Sequence, residues 1–332
     1  MKKLFIGFLT LVITIASFSM ISCKKDDLTL VKVNEVTDSV FYAPFYIAIE
    51  KGFFAEQGLE IELTIGSGSD VSMTALLSKS ADIILAGPET ALYVDRQDKK
   101  DKPKVFSQLT KRDGCFLISR NSEPNFSFEN LRGKEVIIGR QGGLPAMTFE
   151  YVVNKLGMVN GVDLTLRKDI QFALMGPSFD NGTGDYVTLF EPTASEFVAS
   201  GKGHIVASVG EFSGEIPYTS FIALESFLKD KRDIATKFVK ALYNALEYTK
   251  TANVTEVSEY LHLHFTQTPI ESLKASVESY KKIDAWMTNM ALTEEMFNKL
   301  KEVIINAGED VKDANFTDIV DNSLAIELFN EK

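Results

Sequence analysis

The chain has 332 residues, 45% of them hydrophobic, and a formal net charge of −11. This length and apolar content fill two cores of ordinary domain size, and the acidic balance excludes nucleic acid or an anionic bilayer surface as a natural partner. Two cysteines and three histidines leave no disulfide framework and little material for an imidazole-based metal centre.

Residues 1–22 begin with Lys2 and Lys3, continue as an uncharged apolar run from Leu4, and reach Met-Ile-Ser before Cys23. The cationic start orients such a segment, the apolar run inserts it, and the small Ser22 leaves room for a peptidase. The likeness to a lipobox implies a cleaved lipoprotein signal and diacylglycerol on Cys23, with residues 23–30 as lipidated cysteine and tether. A plain transmembrane anchor is the alternative, but it leaves the cysteine ending unexplained. The protein is thus expected to be extracytoplasmic and lipid-anchored to the membrane.

Beyond residue 31 short apolar runs alternate with amphipathic stretches, the pattern of a layered α/β fold. KVNEV (32–36) predicts a strand, FYIAIEKGFFAE (45–56) one helix stopping at Gly58, and LEIELTIG (59–66) a strand with alternation. Residues 71–79 predict a helix capped by Asp70, and ADIILAG (81–87) a buried strand. The charged run 95–104 reads as a solvated helix end and loop. GCFLIS (114–119) predicts a strand carrying a small, buried Cys115, with no histidine nearby in sequence to activate it.

A second unit repeats the grammar. GKEVIIG (133–139), DLTLRK (163–168), GDYVTLF (184–190) and HIVASVG (204–210) predict strands, with helices at 146–157 and 191–200. After Tyr218 the chain reads as helical, with Trp286 on the apolar face of a late helix beside Ile283 and Met290. His262 and His264 form a His-x-His pair in a helical context, where a spacing of two points the rings apart, so no metal site is expected.

Three loops fall between a predicted strand and a predicted helix, where open α/β sheets place ligands. They are Ser67, Gly68 and Ser69; Gly87, Pro88 and Glu89; and Arg140 to Pro145, in which Gly142 and Gly143 permit close backbone approach and Arg140 offers a fork to an oxyanion. The last loop lacks the lysine and hydroxyl of a phosphate-binding loop, and no Gly-x-Ser-x-Gly elbow occurs, so neither nucleotide nor hydrolase chemistry is supported. Carboxylates such as Glu89, Asp185 and Glu191 serve in principle as acid and base, and more often as acceptors for ligand amines.

The stretch FYAPFYIAIEKGFFAEQGLEIELTIGSGSDVSMTALLSKSADIILAGPE, with GTGDYVTLFEPTASEF and KFVKALYNALEY later in the chain, resembles the extracytoplasmic solute-binding proteins of ABC importers. The group is the one that binds nitrate, alkanesulfonates and thiamine pyrimidines, and the resemblance covers essentially the whole mature chain. It implies a type II periplasmic-binding-protein fold, with two α/β lobes joined by two crossing segments near residues 113–116 and 214–218. Lobe 1 would comprise residues 31–112 plus 219–332 and lobe 2 residues 113–218. It also implies a monomer without cofactor whose partners are a small-molecule ligand, an ABC permease and its ATPase. Carried onto this sequence, the ligand-binding positions are Phe41, Tyr42, Phe45, Ser67, Gly68, Ser69, Gly87, Pro88, Glu89, Arg140, Gly142, Gly143, Glu191 and Tyr218. Aromatic rings with carboxylates favour a thiamine-pyrimidine-like nitrogen heterocycle, with a small oxyanion or riboflavin as alternatives. A fungal pyrimidine synthase shares this fold as an enzyme, but the chain lacks its CCCFC segment, which argues for binding without chemistry.

Overall fold

Ten apolar runs too short for helices form the strands of the structure, a computed structural model that describes residues 28–330 apart from residue 98. The expected leader, Cys23 and most of the tether lie outside the described residues. The strands are β1 (Thr29–Glu35), β2 (Leu59–Ile65), β3 (Ile83–Ala86), β4 (Pro103–Thr110), β5 (Phe116–Ser119), β6 (Glu135–Ile137), β7 (Thr165–Arg167), β8 (Tyr186–Leu189), β9 (His204–Ser208) and β10 (Thr219–Leu224). They build two five-stranded sheets, ordered β2-β1-β3-β10-β4 and β7-β6-β8-β5-β9. In each sheet one strand runs against its two neighbours, β10 in the first and β5 in the second. The chain passes from the first sheet to the second between Thr110 and Phe116, and returns between Ser208 and Thr219.

Helices cover the sheet faces because the strands are apolar on both sides. β3 and β10 are buried at every position, as expected for central strands of an α/β layer. Pro44 and Pro145 occupy the first turns of Ala43–Glu50 and Leu144–Lys155, where their missing N–H is no loss. Asn253 caps Val254–His264 by accepting from the Glu256 N–H at 2.9 Å. No helix among the described residues is long and apolar enough to cross a membrane.

Several local expectations are corrected. Strand β1 starts at Thr29, paired to Leu59, so the last residues assigned to the tether are already in the sheet. The helix expected over 45–56 breaks at Gly52, whose φ of +83° ends Ala43–Glu50 before a separate turn Phe53–Glu56. Asp70 is not a cap: helix Ser69–Leu77 starts after Gly68 with no side-chain cap. Strand β10 occupies the stretch after Tyr218 that reads as helical. Trp286 lies beyond helix Ile270–Lys282, in a bridge to Thr110, though it is buried and its indole N–H donates to the Phe41 carbonyl at 2.8 Å.

The two sheets and their helices touch along both edges. Helix Leu144–Lys155 of the second meets helix Glu294–Asn306 of the first through Tyr151 to Glu302 at 3.0 Å and Asn154 to Asn306 at 2.8 Å. On the other edge Tyr280 of helix Ile270–Lys282 reaches the backbone of Glu191.

Candidate functional site

The carboxyl ends of β1, β2 and β3 face those of β6 and β8 across the junction of the lobes. Ser39, just past β1, turns the chain: its hydroxyl accepts from the Phe41 N–H at 3.2 Å and donates to the Glu191 carbonyl at 2.8 Å. That turn buries Phe41 and Tyr42. The Phe41 ring centroid lies 5.1 Å from Tyr280, 5.4 Å from Phe190, 5.7 Å from Tyr218 and 5.9 Å from Tyr42. Phe172, 41% exposed, extends the cluster at 5.5 Å from Phe190. Rings from both lobes and from the return segment thus form one buried aromatic cluster, the box, at the junction of the lobes. Gly114 makes this closeness possible, since a Cβ there would stand 2.7 Å from Phe41 and 2.8 Å from Phe190.

Phe45 does not join the box. It is fully buried among Phe54, Phe221 and Phe238 in the core of the first lobe, because a residue four places after Phe41 lies beyond the turn, on a helix facing the sheet.

Carboxylates define the polarity of the junction. Glu89 follows β3 and is fully buried; its Oε2 has no hydrogen-bond partner. Gly87 makes room for it, as a Cβ there would sit 2.0 Å from that oxygen. Burial pushes the Glu89 carboxyl up to about 8, and its charge acts on the Tyr42 and Tyr93 hydroxyls. Glu191 differs. Its carboxylate already accepts from the Ser195 N–H and Ser195 hydroxyl, both at 2.9 Å, and its own N–H donates to Tyr280 at 2.9 Å. The side chain expected to meet a ligand therefore ties down its own helix, though burial still raises its pKa. Asp113, in the first crossing, is pushed up to about 7 by burial, opposed by a hydrogen bond from the Cys115 N–H at 2.7 Å. The Cys115 thiol is buried and held well above its ordinary range, which makes it a poor nucleophile.

Ser67 to Ser69 and the Arg140 loop lie at the rim rather than in the interior. Ser67 is exposed, while Gly68, Ser69, Gly142 and Gly143 are half-buried. Arg140 is not free to fork an oxyanion: its guanidinium pairs with Asp70 at 2.8 Å, joining the two lobes across the mouth with side chains 51% and 62% exposed. Gly87 and Pro88 are buried beneath Glu89. No lysine, arginine or histidine falls among the buried residues described.

Sequence reasoning missed Phe172, Phe190 and Tyr280. Phe190 stands in the YVTLF run beside Glu191 and was legible as a strand-end aromatic, whereas Tyr280 enters from a helix about ninety residues later. A groove of about 760 Å³ lined by Lys111, Glu215, Met287, Asn289, Met296 and Lys299 holds none of the residues named from sequence. It lacks the convergent aromatic rings and buried carboxyl found at the junction of the lobes.

A family model described as NMT1/THI5 like matches residues 40–253. A protein of Bacillus subtilis (strain 168) named "Putative binding protein YtlA" is 41% identical over 316 residues, spanning 95% of each chain. Among solved structures, the alkanesulfonate-binding protein SsuA from Xanthomonas axonopodis pv. citri, bound to MOPS, aligns with a TM-score of 0.72 at 12% identity over 90% of this chain and 99% of that one. The periplasmic nitrate-binding protein NrtA from Synechocystis PCC 6803 aligns with a TM-score of 0.61 at 19% identity, over 74% of this chain and 69% of that one. These likenesses show the periplasmic-binding-protein fold.

Proposed function

The chain belongs to the NMT1/THI5-like family, and from that membership we propose that it is the extracytoplasmic substrate-binding component of an ABC importer. It captures a small planar nitrogen heterocycle of the thiamine-pyrimidine type between its lobes and delivers it unchanged to a permease and its ATPase. Lipid on Cys23 holds it near that permease, which raises the effective concentration of the encounter. The relatives named as binding proteins, and the solved nitrate and alkanesulfonate binders, support the transport role.

One observation carries the ligand class: Glu89, fully buried just past β3, has an oxygen without a hydrogen-bond partner. A heterocycle bound between the lobes satisfies that oxygen with an exocyclic amine or ring N–H, a hydrogen bond worth about 0.5–1.5 kcal/mol to a carboxyl that holds its proton at neutral pH. An oxyanion needs donors there, and the arginine best placed to supply them is held by Asp70. Calorimetric titration of ligand-stripped protein with a 4-aminopyrimidine, riboflavin, nitrate and an alkanesulfonate tests this reading. Saturable binding of the aminopyrimidine alone supports it; selective binding of either anion overturns the ligand class, and turnover of the aminopyrimidine overturns the transport role.

A further inference from the structure

Beside the turn that presents Phe41, three potential metal ligands converge. Glu35 ends β1 with 0% exposure, and its Oε1 is buried with no hydrogen-bond partner, while Oε2 accepts from the Tyr46 hydroxyl at 2.9 Å. Asp38 stands three residues further on in an exposed turn, its Oδ1 at 3.2 Å from the same hydroxyl and 3.2 Å from Nε2 of His264. His264 closes helix Val254–His264. One oxygen from each carboxyl and one imidazole nitrogen all lie within 4.8 Å of one another. The aromatic setting fixes the imidazole: its ring stacks on Tyr46 at 4.1 Å and 21°, and Phe265 meets it edge-on at 4.9 Å.

We propose that Glu35, Asp38 and His264 bind one divalent cation of the zinc class. Two carboxylate oxygens and one imidazole nitrogen suit a borderline ion, whereas calcium and magnesium favour all-oxygen shells. Two carboxylates balance the charge of the ion, and three protein ligands leave a position for water on the exposed Asp38 side. A tetrahedral ion at about 2.0–2.2 Å from each ligand wants them roughly 3.5 Å apart. Asp38 and His264 are already that close, and all three ligand atoms lie within 4.8 Å of one another. Nδ1 of His264 lies 4.0 Å from a Glu50 carboxylate oxygen, too far for a hydrogen bond. The ion sets a positive charge beside a buried carboxylate that has one oxygen without a hydrogen-bond partner. Its consequence is mechanical: it ties the end of β1, helix Ala43–Glu50 and helix Val254–His264 together behind the Ser39–Tyr42 turn that forms one wall of the aromatic box.

The test is zinc chloride titrated into tag-free, chelator-stripped protein by calorimetry, with elemental analysis for stoichiometry and calcium chloride as comparator. The expected result is one zinc per chain, with calcium at least tenfold weaker, and a melting temperature raised by zinc. Asp38→Asn sits at the surface and should fold with an unchanged metal-free melting temperature, while His264→Gln loses the ring stacked on Tyr46 and should melt lower without metal; each should weaken zinc at least about tenfold. Absence of stoichiometric zinc, zinc affinity unchanged in both His264→Gln and Asp38→Asn, or a preference for calcium would each overturn the assignment.

Discussion

Glu89→Gln should stabilise the ligand-free protein at neutral pH while weakening its ligand. Burial raises the Glu89 carboxyl from its ordinary 4.5 to about 8, so the folded chain keeps a proton that the unfolded chain releases. For a carboxyl shifted upward, the stability it contributes is complete below the unfolded pKa and is lost as pH rises through the folded value. The window therefore runs from about pH 4.5 to about 8. At pH 7 the chain is about two and a half units into that window; at about 1.36 kcal/mol per unit, the penalty is on the order of 3 kcal/mol. Glutamine keeps the shape that fits against Gly87 and carries no such penalty. A change of 1 kcal/mol moves the melting temperature of a chain of this size by about 2–4 °C. The variant should therefore melt about 6–12 °C higher than wild type at pH 7, by the same conversion, and at the same temperature at pH 4.5. Asp113, also pushed up by burial, is present in both proteins and cancels in the difference. Scanning calorimetry of both stripped proteins from pH 4.5 to 8 is the assay. A difference that does not grow with pH, or a variant less stable at pH 7, would refute the reasoning. Aminopyrimidine affinity should meanwhile fall roughly two- to tenfold, the equivalent of one neutral hydrogen bond.

Asp70→Asn breaks the exposed pair with Arg140 and should weaken ligand binding by no more than about fivefold, less at high salt, since such pairs contribute about 0.2–1 kcal/mol; titrations at two ionic strengths check this. Glu191→Gln places a donor against the Ser195 N–H and hydroxyl, so it should lower stability by about 1–2 kcal/mol with ligand affinity changed less than about threefold, as read by denaturant unfolding and calorimetry. Gly114→Ala drives a methyl into Phe41 and Phe190 and should cost about 1–3 kcal/mol in stability and weaken the ligand as the box distorts. Cys23→Ala should abolish acyl labelling and leave unprocessed precursor, seen by metabolic labelling and gel mobility.

The strand-to-helix loops were legible because alternation and glycine placement are local signals, and Gly87, Pro88 and Glu89 follow an apolar strand as read. What escaped the sequence depends on partners distant in the chain. Strand β10 is a six-residue buried run, Thr219 and Ser220 followed by four apolar residues without alternation and adjoining a helix, and its place between β3 and β4 makes it a strand. Arg140 offers a fork to any anion, and nothing local says that Asp70, seventy residues earlier, takes it. Glu191 and Glu89 look alike in sequence, each after an apolar strand. Ser195, one helical turn after Glu191, satisfies the first, while one oxygen of Glu89 has no hydrogen-bond partner. His264 was set aside with His262 because the helix points them apart, and the spacing carries no sign of Asp38 or Glu35.

The central claim, a binding protein that holds an unaltered planar nitrogen heterocycle, is tested most directly by mass spectrometry of the small molecule released on denaturing protein purified without added ligand. The account predicts a single aminopyrimidine-type species near one equivalent per chain, identical in mass before and after prolonged incubation with the protein. Release of a nitrate or sulfonate in its place, or conversion of the heterocycle during incubation, would contradict it.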